Sequence, residues 1–259
     1  MDDGPVARFV ALVTAPEPPL DVAALAIAAG ADPGLDPAPW LAELDRLAAG
    51  IGSVDDLVRR LFVDEGFTGN SADYADPRNS LLPEVLTRRT GIPITLAVVA
   101  IEVGRRAGIG LEGVGMPGHF LVRVAGTEHH LDVFDGGRRL GLAECEARFR
   151  ASTGSRAPFG RHLLPRTSTR EVLVRMLENL RGVYRTRGGA EDREWVLRMR
   201  LALRADPPAL VELGEVLATR ARWDEGARLI AAYLRSGSPS AEEAEVLRRA
   251  AKGLLANLN

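Results

Sequence analysis

From residue 6 to about residue 90, apolar side chains recur at three- and four-residue intervals, the spacing of one helix face. Val6 to Val13 is a short amphipathic run, ended by Ala15-Pro-Glu-Pro-Pro19. Leu20 to Ala29 follows and stops at Gly30-Ala-Asp-Pro-Gly34. Trp40, Leu41, Leu44 and Leu47 place one face on a helix over 39–49. Ser53 with Asp55 and Asp56 behind it reads as a capped start for a helix that continues through Leu57 to Val63. Phe67 to Ser80 is then a long polar stretch, a length more often functional than incidental inside a compact domain. Ser80 stands where it would cap the next helix, Leu81 to Arg89.

The pattern changes at Gly91. Ile94 to Ala107 is apolar almost all round at its start and basic at its end, as in a central buried helix with arginines at its negative terminus. Gly108 is placed to close it in the left-handed conformation. Gly113 and Gly115 mark a strand that another group approaches closely. Phe120 to Val124 and His130 to Phe134 alternate as two strands around Ala125-Gly-Thr-Glu128. A two-residue turn at Ala125-Gly126 would pair residue 119 with 132, and one at Gly126-Thr127 would pair 119 with 134. Because side chains alternate, His119 and Asp132 share a face either way, whereas a three-residue turn would separate them.

Leu142 to Arg150 reads as a helix and 151–166 as a loop with two prolines. From Thr167 onward only amphipathic helices remain: Thr169–Thr186, Glu191–Ala205, Pro208–Arg220, Trp223–Arg235 and Ala241–Leu258. Asp206-Pro207 and Ser238-Pro239 punctuate them at one phase, a period of roughly 33 residues, close to the tetratricopeptide repeat. An ordinary helical bundle is the plainer reading. The expected division is 1–166 and 167–259, the second part too short to stand alone and therefore docked on the first.

Composition narrows the classes. The 259 residues are 46% hydrophobic, enough for a full core, and a net charge of −2 favours neither nucleic acid nor an anionic membrane surface. Cys145 is the single cysteine, which excludes internal disulfides and paired-cysteine zinc sites. The acidic start and short apolar runs carry no secretory or membrane-spanning pattern, so a cytoplasmic protein is expected. Gly113-x-Gly115-x-x-Gly118 matches a dinucleotide fingerprint in spacing only, since a strand and not a helix follows it. No cofactor is called for.

His119 and Asp132 are the leading chemical candidates, because a carboxylate behind an imidazole sets its tautomer for proton transfer. A core histidine bonded to an aspartate is the bland alternative. Gly118 precedes His119 in a tight approach. Arg78 and Asn79 in the polar loop are candidate pocket residues. Glu102 interrupts an apolar helix and needs a cation, with Arg78, Arg89 and Arg123 available. A metal reading would draw on His119, His129, His130 and Asp132, but alternation sends His129 to the other face, and no strong ligand spacing is present. Cys145 comes after His119 and Asp132 and reads as a small buried hydrophobe.

Asp76-Pro-Arg-Asn-Ser80, Arg88-Arg-Thr-Gly-Ile-Pro-Ile94, Leu111 to Arg123 through Met116-Pro-Gly-His119, and Leu131-Asp-Val-Phe-Asp-Gly-Gly137 resemble the bacterial SirB-type family. That family joins a transglutaminase-like core to a C-terminal tetratricopeptide region. The resemblance implies an α+β, papain-like core with a helical N-terminal part and helical repeats after it. It carries the transglutaminase His and Asp onto His119 and Asp132. Counting back from Ala107-Gly108-Ile109, the nucleophilic Cys falls at Pro93 to Thr95, and no cysteine is there. Thr95 is the one hydroxyl in that window, and a threonine at a helix start is more often a cap. Two expectations follow. One is a degenerate transglutaminase-like protein that binds a protein or peptide partner through Arg78, Asn79, Glu102, Gly118 and Arg123 with help from the repeats. The other is an enzyme of amide or ester chemistry using His119, Asp132 and a nucleophile other than Cys.

Overall fold

The computed structural model describes residues 4–256, so Met1 to Asp3 and the expected last helical residues after 256 lie outside it. Among the described residues the N-terminal helices are α1 (Pro5–Val13), α2 (Leu20–Ala28), α3 (Ala38–Ala48), α4 (Val54–Arg59) and α5 (Leu82–Arg88). Pro5 opens α1, where its missing N–H costs nothing. Ser53 caps α4, its Oγ accepting from Asp56 N at 3.1 Å. α4 then widens into a π turn over Arg60–Asp64, a local expansion that the apolar spacing does not announce.

Ser80 does not cap α5. It sits in a 3₁₀ turn, Pro77–Ser80, whose N-cap is Asp76, accepting from Arg78 N at 3.0 Å. The chain reaches α5 through Leu81 with no side-chain cap. Two-residue strands β1 (Thr68–Gly69) and β2 (Thr90–Gly91) pair in parallel and tie the polar loop to the entrance of α6 (Pro93–Arg106). Gly108 adopts φ +73° after α6, as its position implies.

The main sheet is antiparallel, in the order β6-β5-β4-β3-β7: β3 (Leu111–Val114), β4 (Leu121–Val124), β5 (His130–Asp132), β6 (Arg138–Leu140) and β7 (Arg166–Thr167). Arg123 pairs with His130 and Val122 with Leu131, the register that aligns 119 with 134. Alternation then sorts the sheet's side chains. Phe120, Val122, Leu131 and Val133 join the main core, which includes α6 and the N-terminal helices. Val114, Leu121 and Leu140 enter a smaller core with Cys145 and Phe149 of α7 (Leu142–Thr153) and Leu164. β5 is shorter than the alternation implied. Asp132 Oδ1 accepts from the backbone N–H groups of Phe134 and Asp135 (3.1 and 3.3 Å), which turns the chain out of the ladder. The sequence pattern assigns no strand at 138–140 or 166–167: β6 and β7 are each three residues or fewer and borrow their order from their neighbours.

The C-terminal helices are α8 (Thr169–Arg187), α9 (Ala190–Leu203), α10 (Pro207–Ala218), α11 (Trp223–Ser236) and α12 (Ala241–Leu255). Ser168 with Glu171 and Ser240 with Glu243 form reciprocal capping boxes at α8 and α12. Successive helices pack on one another, and α10 also meets α12. Val172, Leu173, Met176 and Leu177 of α8, with Trp195 and Met199 of α9, belong to the main core, so that core draws on both sides of residue 166. Among the described residues, no helix is long and apolar enough to cross a membrane.

Candidate functional site

The turn before β4 is tight: His119 N donates to Met116 O at 3.1 Å, and Gly118 takes φ +75°. A Cβ on Gly118 would lie 2.7 Å from Thr153 Cγ2 and 2.8 Å from Ser152 Oγ, so only glycine lets this turn rest against the end of α7. The turn delivers His119 to the sheet face that carries Asp132, one step along the diagonal of the β4–β5 pair. His119 Nε2 and Asp132 Oδ1 are 2.9 Å apart; Asp132 is wholly buried and His119 is 8% exposed.

Arg148 on α7 reaches Asp132 Oδ2 at 2.8 Å and Asp135 Oδ2 at 3.0 Å. Its approach to Asp132 is a close ion pair without hydrogen-bond alignment. Burial opposes ionisation of Asp132, but the His119 bond, the imidazole, Arg148 and the Phe134 N–H together hold the carboxyl below its ordinary value. The pair is therefore an imidazole backed by a fixed carboxylate. Its Nδ1 makes no hydrogen bond to the described residues and is the ring nitrogen left for a ligand.

Phe134 stands edge-on to the His119 ring, centroids 6.2 Å apart, and Tyr74 stands edge-on to Phe134 at 6.1 Å. A Cβ on Gly69 would come within 2.5 Å of the Phe134 ring, so β1 passes directly over it. The polar loop forms the adjoining wall, and Asn79 organises it. Its Nδ2 donates to the carbonyls of Asp73 and Tyr74 (2.8 and 3.3 Å), and its Oδ1 accepts from Asn70 at 3.1 Å. Arg187 of α8 clamps Asp73 with contacts of 2.9 Å to both carboxylate oxygens. Arg78 is mostly exposed and bonds Asp76.

Thr95 is fully buried and faces this loop's backbone. Its hydroxyl donates to Asn79 O at 2.6 Å and accepts from Ile92 N at 3.2 Å, so from the first turn of α6 it reaches back to the N-cap residue Ile92 and serves as a strut for the loop. No hydrogen bond joins it to His119. Pro93 and Ile94 are buried as well. Cys145 is buried in the smaller core, and burial, with the charges of Glu144 and Asp132, pushes its thiol up to about 11.

Two of the candidate binding residues lie elsewhere. Glu102 pairs with none of Arg78, Arg89 and Arg123. Arg105 and Arg106, three and four residues further along its own helix, bond it at 2.9 and 2.7 Å. Both arginines also hold Asp21 of α2 (3.1 and 2.6 Å), so the network locks α6 to α2. Neighbours one helical turn away were nearer than any of the three arginines considered. Arg123 bonds Glu112 directly across β4 and β3, at 2.6 Å. Of the histidines, His129 is exposed, and His130 lines a separate cavity of about 250 Å³ with Arg123, Arg161 and Leu164.

Sequence reasoning missed Arg148, Phe134, Tyr74 and Arg175. Phe134 was within reach, because the register that pairs 119 with 134 puts it beside His119. Nothing local marks the arginines, which arrive from α7 and α8.

Comparison with known proteins places these features. The profile of the transglutaminase-like superfamily matches residues 38–178, which contain Thr95, His119, Asp132, Arg148 and Arg175. A UPF0162 protein of Pseudomonas aeruginosa is 38% identical over 214 residues, 78% of this chain and 75% of that protein. A UPF0162 protein of Xylella fastidiosa is 49% identical over 131 residues, and the match spans about half of each chain (49% of this one, 47% of the relative). F-box only protein 21 of Mus musculus is 40% identical over 90 residues, 31% of this chain and 14% of that protein. No solved structure matches the chain.

Proposed function

The chain belongs to the transglutaminase-like superfamily, alongside the UPF0162 proteins, and from that premise we propose that its cleft binds a peptide or protein segment without thiol chemistry. The observation that carries the proposal is the fate of the nucleophile position. Pro93 and Ile94 are buried, and the Thr95 hydroxyl is committed to Asn79 O and Ile92 N. A hydrolase fold without its nucleophile keeps the surface on which a substrate would lie; here the polar loop's Tyr74 stands against Phe134, and Phe134 against the His119 ring. The match to 14% of a much longer mammalian protein supports a portable unit of this kind. Within the proposal we keep the SirB-type affinity, a cytoplasmic setting and the tetratricopeptide reading of α8–α12. A concavity of about 560 Å³ lined by Arg181, Arg193, Pro207, Val211 and Glu212 offers an extended segment a second surface.

One observation favours a second reading. His119, Asp132 and Arg148 keep the arrangement a general base needs, with Nδ1 unengaged. Water or a substrate group would then act as nucleophile in amide or ester chemistry.

One experiment separates them. Peptide arrays probed with labelled protein test binding, while peptide hydrolysis and incorporation of a fluorescent amine into a glutamine-bearing peptide test turnover. Binding that weakens in Tyr74→Ala and Phe134→Ala, with no turnover, is the expected result. Turnover that disappears in a folded His119→Ala variant would overturn the binding reading in favour of the enzyme.

A further inference from the structure

Among the described residues most buried or half-buried arginines meet a carboxylate; Arg60, Arg170 and Arg175 do not, and of these Arg175 lies against the His119 turn. It projects from α8 to the back of the His119 turn, where Nη2 donates to Met116 O at 3.2 Å and to His119 O at 2.8 Å. Its guanidinium lies over the Phe120 ring, 5.3 Å from the centroid. A Cβ on Gly115 would stand 3.2 Å from Nη1, so the glycine there leaves room for the head group. Nε and Nη1 donate to none of the described residues, and no ion pair with a described carboxylate is formed. Burial weakens its charged form, and the one acidic group near enough to favour it is the phenol of Tyr74, whose own ionisation burial discourages.

An uncompensated guanidinium in a desolvated position is costly unless something supplies the missing charge. Two backbone carbonyls and a ring face offset part of that cost. They leave a planar fork of donors whose best partner is a carboxylate. Tyr74 is 52% exposed and continues through Phe134 to the His119 ring, so it joins the neighbourhood of Arg175 to that of the His119–Asp132 pair.

We propose that Arg175 and Tyr74 form a carboxylate-recognition subsite beside His119, so that the segment bound in the cleft carries an acidic side chain or a free C-terminus there. This rests on the peptide-binding reading and deepens it. The guanidinium supplies charge and bidentate geometry, and the Tyr74 hydroxyl supplies a further donor at the rim.

The test uses the full chain and three versions of one array-selected peptide, differing only in the group at one position: a neutral amidated form, a form with an internal Glu, and a form with a free C-terminal carboxylate. Fluorescence anisotropy should show one of the two acidic forms binding about tenfold to a hundredfold tighter than the neutral form, and which one identifies the source of the carboxylate. Raising salt should narrow the gap. Arg175→Met should bring all three to one affinity, Arg175→Lys should recover only part of the preference, and Tyr74→Phe should reduce it while leaving the fold intact. Equal affinities for the three forms in the wild type would overturn the subsite and leave peptide binding standing. In a parallel measurement, glutarate at constant ionic strength should raise the melting temperature of the wild type and not of Arg175→Met. That shift without any peptide binding would retain the subsite and sink the peptide reading. Its absence together with absent peptide binding would overturn both.

Discussion

Replacing Thr95 by Val keeps the shape of the side chain and removes its hydroxyl. The hydroxyl serves two buried partners: it donates to Asn79 O at 2.6 Å and accepts from Ile92 N at 3.2 Å. Asn79 is 0% exposed and Ile92 2%, so neither group recovers a partner from water. Each orphaned group costs about 1–3 kcal/mol, and the added methyl returns at most about 0.8 kcal/mol of burial. The net loss expected is roughly 1–5 kcal/mol, a melting temperature lower by about 2–20 °C for a chain of this size. Urea denaturation should show a lower midpoint with an unchanged slope. Amide exchange should quicken in the 70–79 loop, which Asn79 O anchors to α6, before the sheet is affected. Thr95→Ser keeps both bonds and should stay within about 1 kcal/mol of wild type. A Thr95→Val protein as stable as wild type within about 0.5 kcal/mol would refute the assignment of this hydroxyl as a strut.

Three further outcomes are expected of the same fold. Asp132 has a depressed folded pKa, so its contribution to stability is complete above the unfolded value of about 3.9 and is lost as pH falls through the lower folded value. The stability gap between wild type and Asp132→Asn should therefore be flat from pH 5 to 8 and shrink in acid; a gap that widened in acid would contradict this. The Cys145 thiol, buried and pushed up to about 11, should react with an aromatic disulfide at pH 8 more than about a hundredfold slower in the native state than in urea. Comparable rates would show the thiol to be accessible. Gly30→Ala should destabilise the protein by about 1–3 kcal/mol in urea titration, because its Cβ would stand 2.4–2.8 Å from the rigid Trp195 ring on α9. An unchanged midpoint would mean that α9 does not press on the end of α2.

Much of the architecture was written locally. The start of α4 was visible in Ser53 with Asp56 three residues on, because a cap is satisfied within one turn of chain. The buried character of α6 was visible in its unbroken apolar start, and the shared face of His119 and Asp132 in the period of a strand. Those features depend on neighbours along the chain, and the sequence alone determined them. The tertiary structure decided the rest. Strands β6 and β7 are too short to carry a pattern and exist only because a ladder edge was waiting for them. The partners of Glu102 depended on how α2 lies against α6, which brought Asp21 to the same two arginines. Arg148 meets Asp132, and Arg175 meets the His119 turn, each from a helix that begins later in the chain. Whether Thr95 met the imidazole or the loop backbone was settled by the packing of Asn79. Periodicity assigns a side chain to a face. Which group it meets there depends on contacts between distant segments, and folding alone brings those segments together.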